Sequence, residues 1–352
     1  MRAIGLMSGT SLDGIDAALI ESDGRQRVVA GPALTIPYES GLRQRLREAL
    51  GGTGDHAATE RALTEAHAEA VKALIARHGL EHVALIGFHG HTILHRPHAG
   101  VTQQLGDGAL LARLTNIDVV NDFRSQDVAA GGEGAPLVPF YHQALAAGLP
   151  RPLAIVNIGG VANVTWIGDG AEEILAFDTG PGNALLDDWA LRHTGRPLDE
   201  GGALAGAGRA DLFQVKRFLA HAYFELPPPK SLDRDDFADF MPEGLSPEDG
   251  AATLAAMSVA AIAEAGRHFP KPVRRVLVTG GGRHNPVLMT LIEEKLGIAV
   301  EAVEAVGWNG DALEAQAFAY LAVRSVKGLP LSVPSTTGVR APMRGGVLHK
   351  AV

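Results

Sequence analysis

Three times along the chain a short apolar run enters a glycine-rich turn, and the pattern after each turn decides its reading. Residues 3–7 lead into Ser8-Gly-Thr-Ser-Leu-Asp-Gly14, and apolar positions resume over 15–20. Residues 153–158 likewise reach Gly159-Gly160, and Val161-Ala-Asn-Val-Thr-Trp-Ile167 follows at once, closed by Gly168-Asp-Gly170. Because apolar and β-branched residues restart immediately, both segments predict strand, glycine turn, strand. The third run, Arg275-Val-Leu-Val-Thr-Gly-Gly-Gly282, leads instead to Asn285-Pro286 and an apolar-periodic stretch ending at Leu296. That pattern predicts a helix with Asn285 at the N-cap and Pro286 in its first position.

Stretches rich in Ala, Glu and Leu at 56–77, 251–269 and 312–327 predict further helices, the first ending before Gly79 and the last at Gly328. A buried strand is predicted over 83–88, whereas 226–236, with three consecutive prolines, breaks the periodicity and predicts a loop. Strands and helices mix throughout, so the class is α/β. One hairpin opens each half of the chain, which suggests a duplicated architecture without a detectable sequence repeat.

Composition narrows the function classes. With 352 residues the chain has the length of two domains, or three. Apolar residues make up 46% and charged residues 20%, so packed cores are expected and disorder is not. A formal charge of −9, with no block of Lys and Arg, repels a phosphate backbone and argues against nucleic acid as a partner. Cysteine is absent, which removes disulfides, thiolate zinc sites, iron–sulfur clusters and cysteine nucleophiles. No apolar run reaches the roughly 18 residues of a membrane span, and no secretory signal opens the chain; a soluble, cytoplasmic protein without membrane partners is expected.

Several polar clusters could carry chemistry. Small and hydroxyl residues in the 8–14 loop expose backbone N–H groups that can cradle an anion. Asp13 in that loop would repel phosphate unless a cation intervenes, which suggests a magnesium nucleotide; an ordinary hairpin is the alternative. No lysine follows, so the loop is not a P-loop. In Phe177-Asp-Thr-Gly-Pro-Gly-Asn183, Asp178 is suited to base or metal work, or caps the helix that follows. Near Asn121-Asp-Phe-Arg124 and Gly131-Gly-Glu-Gly-Ala-Pro136, Arg124 could grip an anion or form a surface salt bridge. His89, His91, His95 and His98 invite a metal, but strand alternation would point His89 and His91 the same way with no carboxylate nearby. Hydrogen bonding or substrate contact is the other reading. No Gly-x-Ser-x-Gly elbow supports a serine hydrolase.

Met7-Ser-Gly-Thr-Ser-Leu-Asp-Gly-Ile-Asp16, Gly90-His-Thr92, Asn121-Asp-Phe-Arg124, the run 134–139, Asn157-Ile-Gly-Gly-Val-Ala-Asn163 and Phe177-Asp-Thr-Gly-Pro-Gly-Asn183 occur in one order, before Thr279-Gly-Gly-Gly282 and Gly310-Asp311. As an ordered set they closely resemble the anhydro-N-acetylmuramic acid kinase family. The resemblance implies two actin/hexokinase-like (RNase H-like) domains flanking a nucleotide and substrate cleft. It implies a first domain of 1–125 plus 322–352 and a second of 126–321. It also implies an ATP- and Mg²⁺-dependent kinase that opens the 1,6-anhydro ring with water and phosphorylates O6, in peptidoglycan recycling, and a homodimer.

By the same resemblance Gly9, Thr10, Ser11, Leu12, Asp13, Gly14, Ile15 and Asp16 would form one phosphate loop, with Asp13 toward the metal. Asn157, Gly159, Gly160 and Asn163 would form a second, and Gly280, Gly281 and Gly282 a turn beside adenosine. Asp178 would be the catalytic base. His91, Asp122, Arg124, Glu133 and Glu314 would face the amino sugar. Two positions depart from the family pattern, since Gln is common at 91 and at 133. The alternatives are an ATP-binding chaperone or scaffold of the same fold, which would not need Asp178 or the Asp122–Arg124 cluster, and a kinase for another anhydrosugar such as levoglucosan.

Overall fold

The structure, a computed structural model, describes residues 1–9 and 12–351. They form two compact units, Met1–Gly148 with Asp311–Val352, and Leu149–Gly310.

In the first unit the strands are β1 (Arg2–Ser8), β2 (Gly14–Ser22), β3 (Val28–Pro37), β4 (Leu85–Arg96), β5 (Val101–Leu105) and β6 (Val119–Asn121), with a last strand at Val347–His349. Among the described residues the sheet order is Val347–His349, β6, β4, β1, β2, β3, with β5 paired to β4. β1 runs antiparallel to β2 and parallel to β4. The second unit holds β7 (Leu153–Ile158), β8 (Val161–Ile167), β9 (Ile174–Pro181), β10 (Arg275–Thr279) and β11 (Ala299–Ala302), in the order β11, β10, β7, β8, β9. Here too the first strand is antiparallel to the second and parallel to the fourth. The order β3-β2-β1-β4-β6 thus recurs as β9-β8-β7-β10-β11. This repeated order is the duplicated architecture that the two hairpins suggest, in the RNase H-like form that the resemblance implies.

Local chemistry accounts for the elements. β1 and β2 are almost continuously apolar because both of their faces are covered. On one face lies the helix Ala57–His78, closed by Gly79 in the left-handed region at φ 57°. On the other lies the helix Leu313–Val326, drawn in unusually close by a pair of glycines. Gly5 and Gly87 are register partners across β1 and β4. A Cβ on Gly5 would fall 1.7 Å from the Ala315 carbonyl oxygen, and one on Gly87 2.1 Å from that of Phe318. In the second unit Asn285 accepts from the N–H groups of Val287 and Leu288 at the start of Pro286–Leu296, the N-cap expected from Asn285-Pro286.

Three details differ from the sequence reading. The strand expected over 83–88 runs on to Arg96, because pairing with β5 sustains it after apolar alternation ends. The helix expected over 251–269 is Pro247–Ala265, started by the Ser246 cap and Pro247 and followed by a 3₁₀ turn. The unit boundaries lie at 148/149 and 310/311, instead of 125/126 and 321/322. Residues beyond 125 belong with the first unit because buried Asp127 accepts hydrogen bonds from Ser332 and Thr337 and because Tyr141 donates to Gln316 at 2.9 Å. The whole helix Leu313–Val326, not only its end, packs on β1, β2 and β4.

Gly87→Val is expected to cost at least about 2 kcal/mol, since the added atoms meet backbone that cannot rotate away. A urea midpoint equal to wild type would rule out this close packing.

Candidate active site

In the first unit the β1–β2 turn is shaped by more than its glycines. Leu12 is buried, holds a left-handed φ of 60° and donates its N–H to the Gly9 carbonyl at 3.1 Å. Such a backbone is costly for a branched side chain and persists only where its surroundings enforce it. The Asp13 carbonyl accepts from the Tyr38 N–H at 3.2 Å and from Arg43, while its carboxylate side is exposed. A Cβ on Gly14 would sit 2.4 Å from the Ile36 carbonyl oxygen, and Ile15 is buried in the core. Asp16, on β2, accepts from the Thr35 hydroxyl at 2.6 Å. Burial pushes its carboxyl above the ordinary range, and the charges of Asp311 and Asp13 add to the effect. Thr10 and Ser11 lie outside the described residues. The hairpin alternative therefore holds as geometry, with the charges of Asp13 and Asp311 acting on Asp16 beside it.

Beneath this turn, Ser8 is buried and bonded to the Tyr38 hydroxyl and to His91 Nδ1 at 2.9 Å. His91 is fully enclosed, and burial holds its imidazole down to about 4. His89 has different surroundings. Its ring lies tilted against Phe318 with centroids 4.4 Å apart, its Nδ1 is 2.9 Å from the Gly90 carbonyl, and its Nε2 accepts from Arg124. The common orientation expected for the two histidines fails because register slips between Leu6 and Ser8 while Gly90 turns left-handed at φ 75°. Among the described residues no group of three or more His, Cys, Asp or Glu side chains is arranged to hold a metal ion.

The second polar cluster surrounds Arg124, which is half-buried. Its guanidinium donates to the Gly134 carbonyl at 2.7 Å and to His89 Nε2 at 3.0 and 3.2 Å. Burial, and then the Arg124 charge, keep the His89 imidazole well below its usual value, so it serves as a neutral acceptor with the proton on Nδ1. Asp122 adopts a left-handed φ of 51° and accepts from the Ser125 N–H at 3.3 Å. Asp127 is the hub of the adjoining loop, accepting from the Gly134 N–H at 2.7 Å as well as from Ser332 and Thr337. Glu133 is anchored through its N–H to the Thr337 carbonyl at 2.6 Å. Glu314 stands half-buried in the first turn of Leu313–Val326.

In the second unit a polar row crosses the sheet. Asn157 pairs with Asn163 across β7 and β8, and Asn163 pairs with Asp178 across β8 and β9. Asp178 is 7% exposed, and its Oδ2 accepts from the Leu232 N–H at 2.9 Å. It sits within β9 and not at the start of Ala184–Thr194, whose N-cap is Asn183, so the capping alternative falls away. The glycines of this unit divide into two kinds. Gly280, at φ 77°, and Gly282 are demanded by packing, since a Cβ would lie 2.3 Å from Asn157 Oδ1 and 2.4 Å from Ile158 Cγ2, respectively. At Gly159, Gly160 and Gly281 a Cβ would meet nothing closer than 3.5 Å, and none of these has a left-handed φ. Bare backbone there is open to the close approach of a ligand. Arg283 braces the 280–282 turn by bonding the Gly280 carbonyl at 2.9 Å and Glu304 at 3.0 Å.

Asp127 in the first unit, and Tyr223, Lys230, Arg283 and Glu304 in the second, brace these candidate residues but carry no motif of their own. The tri-proline before Lys230 was the available signal, because proline fixes its own backbone and makes a rigid loop.

A duplicated RNase H-like core carrying glycine turns and a buried carboxylate invites comparison with phosphotransferases. The family model described as anhydro-N-acetylmuramic acid kinase matches residues 1–351. The chain is 59% identical to the anhydro-N-acetylmuramic acid kinase of Paramagnetospirillum magneticum, over 99% of each chain. It is 55% identical to that of Rhodospirillum rubrum, over 99% of this chain and 94% of the relative. For the Rhizorhabdus wittichii enzyme the figure is 53%, over 99% of each. At this identity and coverage the chain is a kinase. It belongs to the anhydro-N-acetylmuramic acid kinase family. The scaffold reading and that of a kinase for another anhydrosugar are not favoured by these relatives.

The buried histidines give the first unit an acid sensitivity. His67, His91 and His95 are each held down to about 4 by burial, below the usual 6.5. A lowered histidine binds its proton more readily in the unfolded chain, so stability is complete above about pH 6.5 and falls as pH drops toward 4. The slope of unfolding free energy against pH in that window is expected to diminish by up to about one proton in His91→Gln. An unchanged slope would mean that His91 titrates normally.

Proposed function

We propose that the chain converts 1,6-anhydro-N-acetylmuramic acid, ATP and water into N-acetylmuramic acid 6-phosphate and ADP, with Asp178 as the base. The observation that carries this reading is the buried Asp178 carboxylate, held at one oxygen by a backbone N–H in line with Asn163 and Asn157. Asp178 takes a proton from the water that attacks the anomeric carbon, as the base of an inverting glycosidase does. The C1–O6 bond breaks as the C1–oxygen bond forms, and O6 attacks the γ-phosphorus, releasing ADP. Phosphoryl transfer to O6 replaces protonation of a leaving group, so a single base suffices.

The bare backbone of Gly159, Gly160 and Gly281 supports a role in admitting phosphates and adenosine at the second unit; in the first unit the phosphate loop would be Gly9 and residues 12–16. Gly280 and Gly282 shape that surface from below, and Asn157 and Asn163 line it. Asp13, the carboxylate of the first turn, would face the magnesium of the nucleotide; Asp16 and Asp311 add negative charge nearby but do not form a ligand set with it. Magnesium, when bound, offsets the charge of the nucleotide phosphates. Arg124, oriented by His89, pairs with the lactyl carboxylate of the sugar, and Asp122, Glu133 and Glu314 meet its hydroxyl and amide groups. His91 acts on that region indirectly, through Ser8. Such an enzyme returns cell-wall amino sugar to metabolism in the cytoplasm.

Turnover in ¹⁸O-water is expected to place the heavy oxygen at C1 of a phosphorylated, ring-opened product. Phosphate release without that product would overturn the reading. Asp178→Asn should lower kcat by about a thousandfold while ATP still binds, in the range for loss of a general base. Asp13→Ala should raise the magnesium concentration needed for half-maximal rate; an unchanged requirement would remove Asp13 from that role.

A further inference from the structure

The loop 226–236 lies outside every candidate ligand-binding segment, yet two of its backbone groups meet one residue of β9. The Lys230 carbonyl accepts from the Asp178 N–H at 3.0 Å, and the Leu232 N–H donates to Asp178 Oδ2 at 2.9 Å. Tyr223, in the 3₁₀ turn Ala222–Glu225 just before the loop, donates its hydroxyl to the Asp178 carbonyl. The N–H, the carbonyl and one carboxylate oxygen of Asp178 are therefore all held from one stretch of chain.

The Lys230 side chain ties that stretch together. Its ammonium donates to the Tyr223 carbonyl at 2.9 Å. It lies 4.3 Å from the centre of the Tyr223 ring and 5.9 Å from that of Phe177, the neighbour of Asp178. The residue is only 7% exposed. Taking an ammonium out of water is unfavourable, and a methionine would fill the same space without that penalty. One carbonyl and two ring faces replace part of its hydration, and the ring attraction exists only while the charge does.

We propose that Lys230 is a positioning residue for Asp178: by joining the Tyr223 turn to the 226–236 loop, its ammonium fixes the orientation of the carboxylate that accepts the proton from water. The inference rests on Asp178 being the base. The charged and titratable groups facing the ammonium are Glu225, Arg267 and His268. Burial foremost, and Arg267 in addition, bring Lys230 down to about 8, with Glu225 opposing. The clamp is thus intact at neutral pH and loosens as pH rises through that value.

The test measures kcat and KM against pH for wild type, Lys230→Met, Lys230→Arg and Asp178→Asn, with thermal midpoints alongside. Lys230→Met is expected to lose kcat by about tenfold or more, with KM for ATP within about twofold of wild type and a midpoint no lower. Wild-type kcat should decline above about pH 8, the limb that follows Lys230. Lys230→Arg, charged throughout, should hold its turnover to higher pH. A wild-type kcat in Lys230→Met overturns the proposal, as does an alkaline limb that stays in place in Lys230→Arg. If Lys230→Met fails to fold, the Lys230→Arg profile decides alone. Full turnover in Asp178→Asn would overturn the base reading itself; an inert Asp178→Asn beside an unimpaired Lys230→Met would overturn only the positioning role.

Discussion

The contact on which the first unit depends is backbone against backbone. Gly5 and Gly87, side by side on β1 and β4, leave no side chain between the sheet and the helix Leu313–Val326. Close-packed interiors tolerate little change of volume, so this absence of two methyl-sized groups determines where the helix lies. Its position brings Asp311 near the β1–β2 turn and seats Phe318 under His89. His89 in turn holds Arg124. A steric fact about two glycines therefore propagates, through one ring and one imidazole, to the guanidinium of Arg124.

The acids differ in how fully their charge is met. Asp127 accepts hydrogen bonds from Gly134, Ser332 and Thr337, so its charge is well compensated and it acts as a hub. Asp16 has one hydroxyl donor and two neighbouring carboxylates, and its burial raises its affinity for a proton. Asp178 stands between these extremes, held in place at its backbone and at one oxygen.

Much of the fold was legible because it is written in local turn chemistry. Glycine turns followed directly by β-branched residues gave both hairpins, and Asn285-Pro286 gave a helix start that needs no tertiary context. What escaped is non-local. Alternation placed His89 and His91 together, but a one-residue slip in pairing with β1 separated their surroundings. The boundary after residue 148 depends on Asp127 and Tyr141 reaching residues near the other end of the chain. The candidate site residues were visible as small polar motifs, whereas Lys230 and Tyr223 lie in or beside a stretch whose only signal was its lack of periodicity. Their importance comes from where the loop lands, and no spacing encodes that.

The first unit is built from both ends of the chain, with residues 149–310 inserted between its parts. A ribosome delivers those parts in order, at ~5–20 residues per second. The sheet carrying Gly5 and Gly87 therefore waits on the order of tens of seconds for residues 313–326 to emerge and cover it. During that interval its glycine face is bare, while the inserted unit already has every strand it needs. Birth of this enzyme is thus inside out: the middle of the polypeptide can be finished first, and the beginning becomes native only once the end arrives.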